Sequence, residues 1–357
     1  MLANAHRAKR VARRGEIDPA SPIRHSGHEM LFPSRSEADA AITGPGSLAW
    51  VTVIEHRIHQ SFDFCRVMFS RGNVTEKQRF ASLVREGDVV LDLYTGIGYY
   101  TLPALVHGKA KFVYSCEWNS DAVYALRHNL KQNKVEERCE VLQGDSRVGG
   151  EKCEGLCDRV SLGLLPSSEG TWEVAVKALK SEGGWLHVHG NVARGERTEW
   201  GKWVAWSMLR LKNTLKNTNT SNTSNNGWGA VVKKIEKVKS FAPNVDHLVA
   251  DIYVGRGGEG GEGGEGGEGG EGGEGGEGGG GSEGGGTEEW RMGWIVGENF
   301  DAFEASAEPG NEGHDGDLVI PSCAVGKNAV INQEWMFPLD KGKKVGAEGG
   351  GGDGERS

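Results

Sequence analysis

The chain has 357 residues, room for one or two ordinary domains around a substantial core. Its formal charge is −9, yet eight of its Glu residues lie in one Gly-Gly-Glu repeat over 257–286; the remainder is near neutral, so the acidic balance does not exclude a polyanionic partner. No window approaches the ~20 apolar residues of a membrane span, and the six Cys follow no signal peptide and no disulfide or zinc spacing, which excludes membrane and disulfide-stapled classes and predicts a soluble, cytoplasmic protein without a metal.

Residues 1–47 read as mostly irregular. The first fourteen carry Arg7, Lys9, Arg10, Arg13 and Arg14 and no acid, which fits a solvated terminus better than a presequence or an RNA-contacting arm. Over 48–70, the runs Trp50 to Ile54 and Phe62 to Phe69 predict a small β module of two or three strands. From 71 to 254 the pattern alternates. A helix begins at Thr75–Glu76, Asp88–Leu91 is a buried strand, Thr101–Val106 starts a helix and Lys111–Cys116 is a second strand. Ser120 is expected to cap a helix with Val123, Leu126 and Leu130 on one face. Cys139–Leu142 and Arg159–Leu162 give two more strands, a helix covers 169–180, and Gly184–His189 is a fifth strand. This rhythm predicts a doubly wound, Rossmann-like α/β fold, a parallel sheet with helices on both faces.

Thr198–Leu215 reads as an amphipathic helix whose Trp200, Trp203 and Trp206 are assigned to the core rather than to base stacking. The runs 230–241 and 246–254 meet at Pro243–Asn244 as a hairpin on the sheet edge. Residues 255–286, without an apolar side chain through the repeat, are expected to form a disordered linker. No clear period marks 287–357, which is expected to be a largely disordered tail.

The chemistry sits in the alternating part. Val89-Val-Leu-Asp-Leu-Tyr-Thr-Gly-Ile-Gly98 runs from a strand into Gly-x-Gly before a helix, where Gly96 and Gly98 let the backbone approach a ligand. Glu117 follows Gly98 by 19 residues at a strand end, the place of an acid that binds ribose hydroxyls. Asp145, in Gly144-Asp-Ser146, ends the third strand, where it could meet an adenine. Asp92 ahead of the glycines, with no Gly-x-x-Gly after them, serves a pyrophosphate poorly and suits a nucleoside with an amino-acid tail. His187 and His189 alternate along a strand, so one of them is expected to face the site; either could act as a base near neutral pH, and neither is assigned as catalytic.

Five segments carry a resemblance: Met68-Phe-Ser-Arg-Gly-Asn-Val-Thr-Glu-Lys77, Asp92-Leu-Tyr-Thr-Gly-Ile-Gly-Tyr-Tyr-Thr-Leu-Pro103, Cys116-Glu-Trp-Asn119, Ser161-Leu-Gly-Leu-Leu-Pro-Ser-Ser168 and His187-Val-His-Gly-Asn-Val192. With Val238 to Asp251, they resemble the tRNA wybutosine-synthesizing protein 2 family over about residues 48–254. The resemblance implies a class I S-adenosylmethionine-dependent fold. It also implies transfer of the 3-amino-3-carboxypropyl group to 4-demethylwyosine at position 37 of tRNA(Phe), and binding of that tRNA's anticodon loop by a monomer. It places the co-substrate against Ser70, Lys77, Asp92, Gly96, Gly98, Glu117, Asp145 and Ser146, with Lys77 near the tail's carboxylate; the catalytic base stays unassigned. Thr95 and Ser161 depart from the family's usual Ala and Asn, and the region before Phe62, with 48–70 as a remnant of the tRNA-docking part, is shorter than usual. A tRNA guanine-N1 methyltransferase and a non-catalytic binding protein remain the alternatives.

Overall fold

The computed structural model describes residues 8–17, 21, 23–34, 36–217 and 227–256, with one further two-residue strand at Ile295–Val296. The expectations for the Gly/Glu repeat and for the rest of the tail lie outside these residues.

A sheet of eight strands forms the centre. In chain order its strands are β5 (Val89–Asp92), β6 (Phe112–Glu117), β7 (Cys139–Gln143), β8 (Arg159–Leu162), β9 (Gly183–Ala193), β10 (Trp228–Ala242), β11 (Val245–Arg256) and β12 (Ile295–Val296). Their spatial order is β12-β10-β11-β9-β8-β5-β6-β7. The five strands from β7 to β9 are parallel, and β11 and β10 add to β9 antiparallel. The chain leaves β5 toward β6 and β7, then returns to β8 on its other side. The ends of β5 and β8 therefore face a crevice flanked by loops that diverge, where doubly wound sheets bind ligands.

The predicted alternation is present, and helices cover both faces. On one face α2 (Val74–Leu83), α3 (Thr101–Val106) and α4 (Ser120–Gln132) bury Phe80, Leu102, Leu105 and Leu126. On the other, α5 (Ser146–Glu151), α6 (Trp172–Ala178) and α7 (Arg197–Asn217) bury Trp172, Val176, Trp203 and Met208. Trp200 and Trp203 belong to this core, as their spacing suggested. The cap of α4 is Asn119 rather than Ser120: the Asn119 side chain accepts from the Asp121 N–H, and Ser120 is already helical. The predicted 169–180 helix is a 3-10 turn at Glu169–Thr171 leading into α6.

The N-terminal part holds more structure than composition suggested. β1 (Val11–Arg13) pairs with β2 (Glu29–Phe32), and a capping box between Ser36 and Asp39 starts α1 (Glu37–Ala41). Two strands, β3 (Trp50–Glu55) and β4 (Ile58–Asp63), form a hairpin whose turn residues His56 and Arg57 both have positive φ. No third strand follows: residues 64–73 form turns and irregular backbone. The hairpin is fixed to α4 by amides. Asn129 Oδ1 accepts from the Ser61 N–H at 2.7 Å, and Asn133 accepts from the His59 N–H at 3.0 Å while donating to its carbonyl at 2.8 Å. At the other end Gly255 and Arg256, expected to open the linker, are the last residues of β11.

Candidate functional site

The strand ends are stitched into one rim. Glu117 Oε2 accepts from the Gly96 N–H at 2.8 Å and Oε1 from the Asn119 N–H at 2.7 Å, while its carbonyl accepts from Gly144 N–H at 2.9 Å. Ser146 is buried and donates to the Leu93 carbonyl at 2.6 Å. The turn after β5, the end of β6 and the turn after β7 thus share hydrogen bonds. Burial raises the Glu117 carboxyl above its ordinary range, against the opposing pull of backbone N–H groups at Asn119 and Gly96. A carboxylate offers about four acceptor positions. The backbone N–H groups of Gly96, Asn119 and Trp118 all act on it, which leaves capacity for one further donor.

Gly96 and Gly98 have φ of 59° and 106°. A Cβ on Gly96 would meet the Tyr99 ring at 2.5 Å, and one on Gly98 would meet Leu102 at 2.7 Å. The glycines are thus required by backbone conformation and by packing within the chain, beyond any approach to a ligand.

Asp92 is fully buried at the end of β5, and one of its oxygens accepts from the Thr101 hydroxyl at 2.9 Å. Its Oδ1 finds no protein partner among the described residues, and neither does Ser161 Oγ. Asp92 and Ser161 are neighbours, register partners on β5 and β8, whereas the Tyr100 ring packs on Phe80 and His189. Burial lifts the Asp92 carboxyl to about 6, although hydrogen bonds from Thr101 act to lower it. Buried polar atoms left unpaired by protein suit a ligand that brings its own polar groups.

Asp145 caps α5 through the Arg147 N–H and is ion-paired with the Arg147 side chain. Partial burial acts to raise its carboxyl, but the hydrogen bonds from Arg147 hold it below the usual range. Lys77 is buried, 2.8 Å from Glu55 on β3 and 3.1 Å from the Ser70 carbonyl, with its ammonium 5.0 Å from the Tyr99 ring centroid. Burial lowers its pKa, opposed by Glu55. The Ser70 N–H donates to the Tyr99 hydroxyl at 3.3 Å, and that hydroxyl donates to the Met68 carbonyl. Hydrogen bonds and packing thus link Lys77 and Ser70 through Tyr99 to Gly96, Gly96 to Glu117, and Glu117 to the turn that carries Asp145 and Ser146. A cavity of about 840 Å³ opens between residues 14–17, Ser26, His28 and the segment from Phe62 to Arg71. It adjoins the crevice without including Gly96, Glu117 or Asp145.

The two histidines are not in it. Residues two apart on a strand share a face, so His187 and His189 point the same way, under α2 and α3, where they pack on Phe80 and Tyr100. His187 Nδ1 lies 2.6 Å from Asp251, and Nε2 accepts from Arg159 at 2.7 Å. His189 meets His247 at 2.9 Å. Burial depresses both, His189 most, and both serve the interior. Ser161, whose Oγ lies buried and unpaired beside Asp92, is not marked by any local sequence pattern.

Residues 52–199 match the family model described as the TRM5/TYW2 methyltransferase domain. Over that stretch the chain is similar to this domain. It is 43% identical over 245 residues to tRNA wybutosine-synthesizing protein 2/3/4 of Arabidopsis thaliana, covering 69% of this chain and 22% of that one. To the tRNA wybutosine-synthesizing protein 2 homolog of Bos taurus it is 35% identical over 296 residues, 70% of this chain and 63% of that protein. The chain thus spans about a fifth of the plant relative and less than two thirds of the mammalian one. Among solved structures, M. jannaschii TYW2 in complex with AdoMet superposes with a TM-score of 0.53 at 24% identity, over 64% of this chain and 90% of that one, and shares the fold of the TRM5/TYW2 domain.

Proposed function

We propose that the chain transfers the 3-amino-3-carboxypropyl group of S-adenosylmethionine to 4-demethylwyosine at position 37 of tRNA(Phe), in wybutosine biosynthesis, releasing 5′-methylthioadenosine. The observation that carries this reading is the pair of unpaired buried atoms on Asp92 and Ser161 at the strand ends beside the Glu117 rim. Glu117 has acceptor capacity left for a ribose hydroxyl beyond the backbone N–H groups that hold it. Asp145 and Ser146 flank the adenine side. Asp92 accepts from the tail's ammonium, and an ammonium there holds the carboxylate ionised despite its burial. The co-substrate fits these residues and supplies a sulfonium whose adjacent carbons are all electrophilic. The protein's part is orientation: it selects which carbon lies in line with the acceptor base. Lys77 positions the 68–71 segment over the crevice through the Ser70 carbonyl. The loop Leu162-Gly-Leu-Leu-Pro166, apolar after Ser161, suits a flat tricyclic base.

The names of the relatives support the same reading, as does the AdoMet bound in the M. jannaschii structure. In it residues 71–254 are the catalytic unit, 48–70 a remnant of the docking region, the partner is the anticodon loop of tRNA(Phe), and the protein works as a cytoplasmic monomer. The test is incubation of purified protein with hypomodified tRNA(Phe) and labelled S-adenosylmethionine. Methylthioadenosine as co-product is the expected result. S-adenosylhomocysteine would replace the proposal by guanine methylation, and binding without turnover would replace it by a non-catalytic role.

A further inference from the structure

The tip of the β10–β11 hairpin carries features that neither the fold nor the crevice uses. Phe241, near the end of β10, is 58% exposed. Lys237 and Lys239 on the same strand are exposed as well. The carboxylate at the tip, Asp246, is fully buried and already shared by Lys237 at 2.9 Å, Arg194 at 3.6 Å and Arg197, three cations on one anion. Lys239 and the exposed Arg71 form no ion pair among the described residues. The tip is therefore strongly cationic around an exposed aromatic ring.

Its position ties it to the crevice. The Lys239 ammonium lies 2.8 Å from where a Cβ on Gly72 would stand, directly after Arg71 and two residues after Ser70. The Arg194 N–H donates to the Asn244 carbonyl at the hairpin turn, and the Asn191 N–H donates to the Pro166 carbonyl in the loop after β8, each at 3.0 Å. The tip thus borders both the segment over the crevice and the apolar loop below it.

We propose that this tip is a docking surface for single-stranded RNA next to the target base, with Phe241 stacking on one unpaired base and Lys239, Arg71 and Arg194 holding adjacent phosphates. The inference rests on the proposed function for its partner and adds the residues that grip it. Charge decides the occupant: a cationic rim around one exposed ring matches a flexible polyanion with exposed bases, for which stacking and phosphate contacts act together. The ring serves any base, so the surface contributes affinity and register, while the crevice chooses the base.

The test measures binding of an anticodon stem-loop of tRNA(Phe) to the full chain at several salt concentrations, alongside calorimetry of S-adenosylmethionine. Phe241→Ala is expected to weaken RNA binding by roughly 10- to 100-fold with an unchanged salt slope. Arg194→Gln with Lys239→Gln is expected to flatten the slope of log K against log salt by about 1.4, the value for two lost phosphate contacts to a single strand. Both variants should bind S-adenosylmethionine within about twofold of the parent, which also reports that they fold. RNA affinity and slope unchanged in both variants, with the parent binding, would overturn the docking surface alone. A parent that binds S-adenosylmethionine but no RNA would overturn the proposed function and this inference with it.

Discussion

Replacing Glu117 by Gln tests the rim at its most connected point. The amide keeps one acceptor oxygen and turns the other into an NH2 group that only donates. Whichever way it lies, that NH2 faces the N–H of Gly96 or of Asn119, two donors now 2.7–2.8 Å from the acceptors they use. A buried N–H left without an acceptor costs about 1–3 kcal/mol, a fall of roughly 2–10 °C in Tm for a domain of this size. The second consequence is in binding. A ribose hydroxyl loses a charged acceptor, worth about 1.5–3 kcal/mol, so the Kd for S-adenosylmethionine should rise roughly 10- to 150-fold. Calorimetric titration on protein shown folded by its melt reads both. A variant that melts lower but binds within twofold of the parent would refute the assignment, making Glu117 a backbone clamp and nothing more.

Asp92→Asn tests the buried carboxyl through pH. Its folded pKa of about 6 stands above the unfolded value of 3.8, so between these values the native state holds more protons and stability falls as pH rises through the window. The full effect is about 3 kcal/mol; the Asn variant should lose this slope between pH 4 and 6 in parallel melts, and an unaltered slope would count against it. Asp251 behaves oppositely. Burial acts to raise it, but His187 and Arg79 hold it far below the usual range, so its stabilisation is present above the unfolded pKa and lost as pH falls below it. Asp251→Asn leaves Arg79 and His187 short of a buried partner and should cost about 3–5 kcal/mol in urea unfolding at pH 7; under 1 kcal/mol would show that the network is not needed. Lys77→Ala should leave Glu55 unpaired, costing about 3 kcal/mol, and weaken S-adenosylmethionine roughly tenfold by releasing the Ser70 segment; normal affinity and turnover would remove its positioning role.

The central sheet was legible because each buried strand is a short apolar run and each helix places its apolar residues at helical spacing, as Val123, Leu126 and Leu130 do in α4. The rim was legible for a related reason: Gly96, Gly98, Glu117 and Asp145 lie at strand ends, so chain spacing stands in for spatial neighbourhood. What depends on distant partners was hidden. Glu55 and Lys77 meet across 22 residues, and Arg79 and Asp251 across 172; no local pattern marks either pair. β1 and β2 are short and mostly exposed, and pair across an irregular stretch, so their composition reads as loop. The Asn119 cap was overshadowed by Ser120, an equally good capping residue one position later. The histidines were open to a correct reading from sequence, since the period of two already assigns both to one face.

The amide clasp between α4 and β4 governs more than the seating of a hairpin. Asn129 and Asn133 engage backbone groups of Ser61 and His59 two positions apart, so sliding the strand by one residue would break the set at once. That latch fixes where Glu55 stands on the neighbouring strand, and through Lys77 it fixes the height of the Ser70 stretch above the strand ends. A change on the buried face of α4, remote from any reacting atom, should therefore be felt as a loosened roof over the co-substrate.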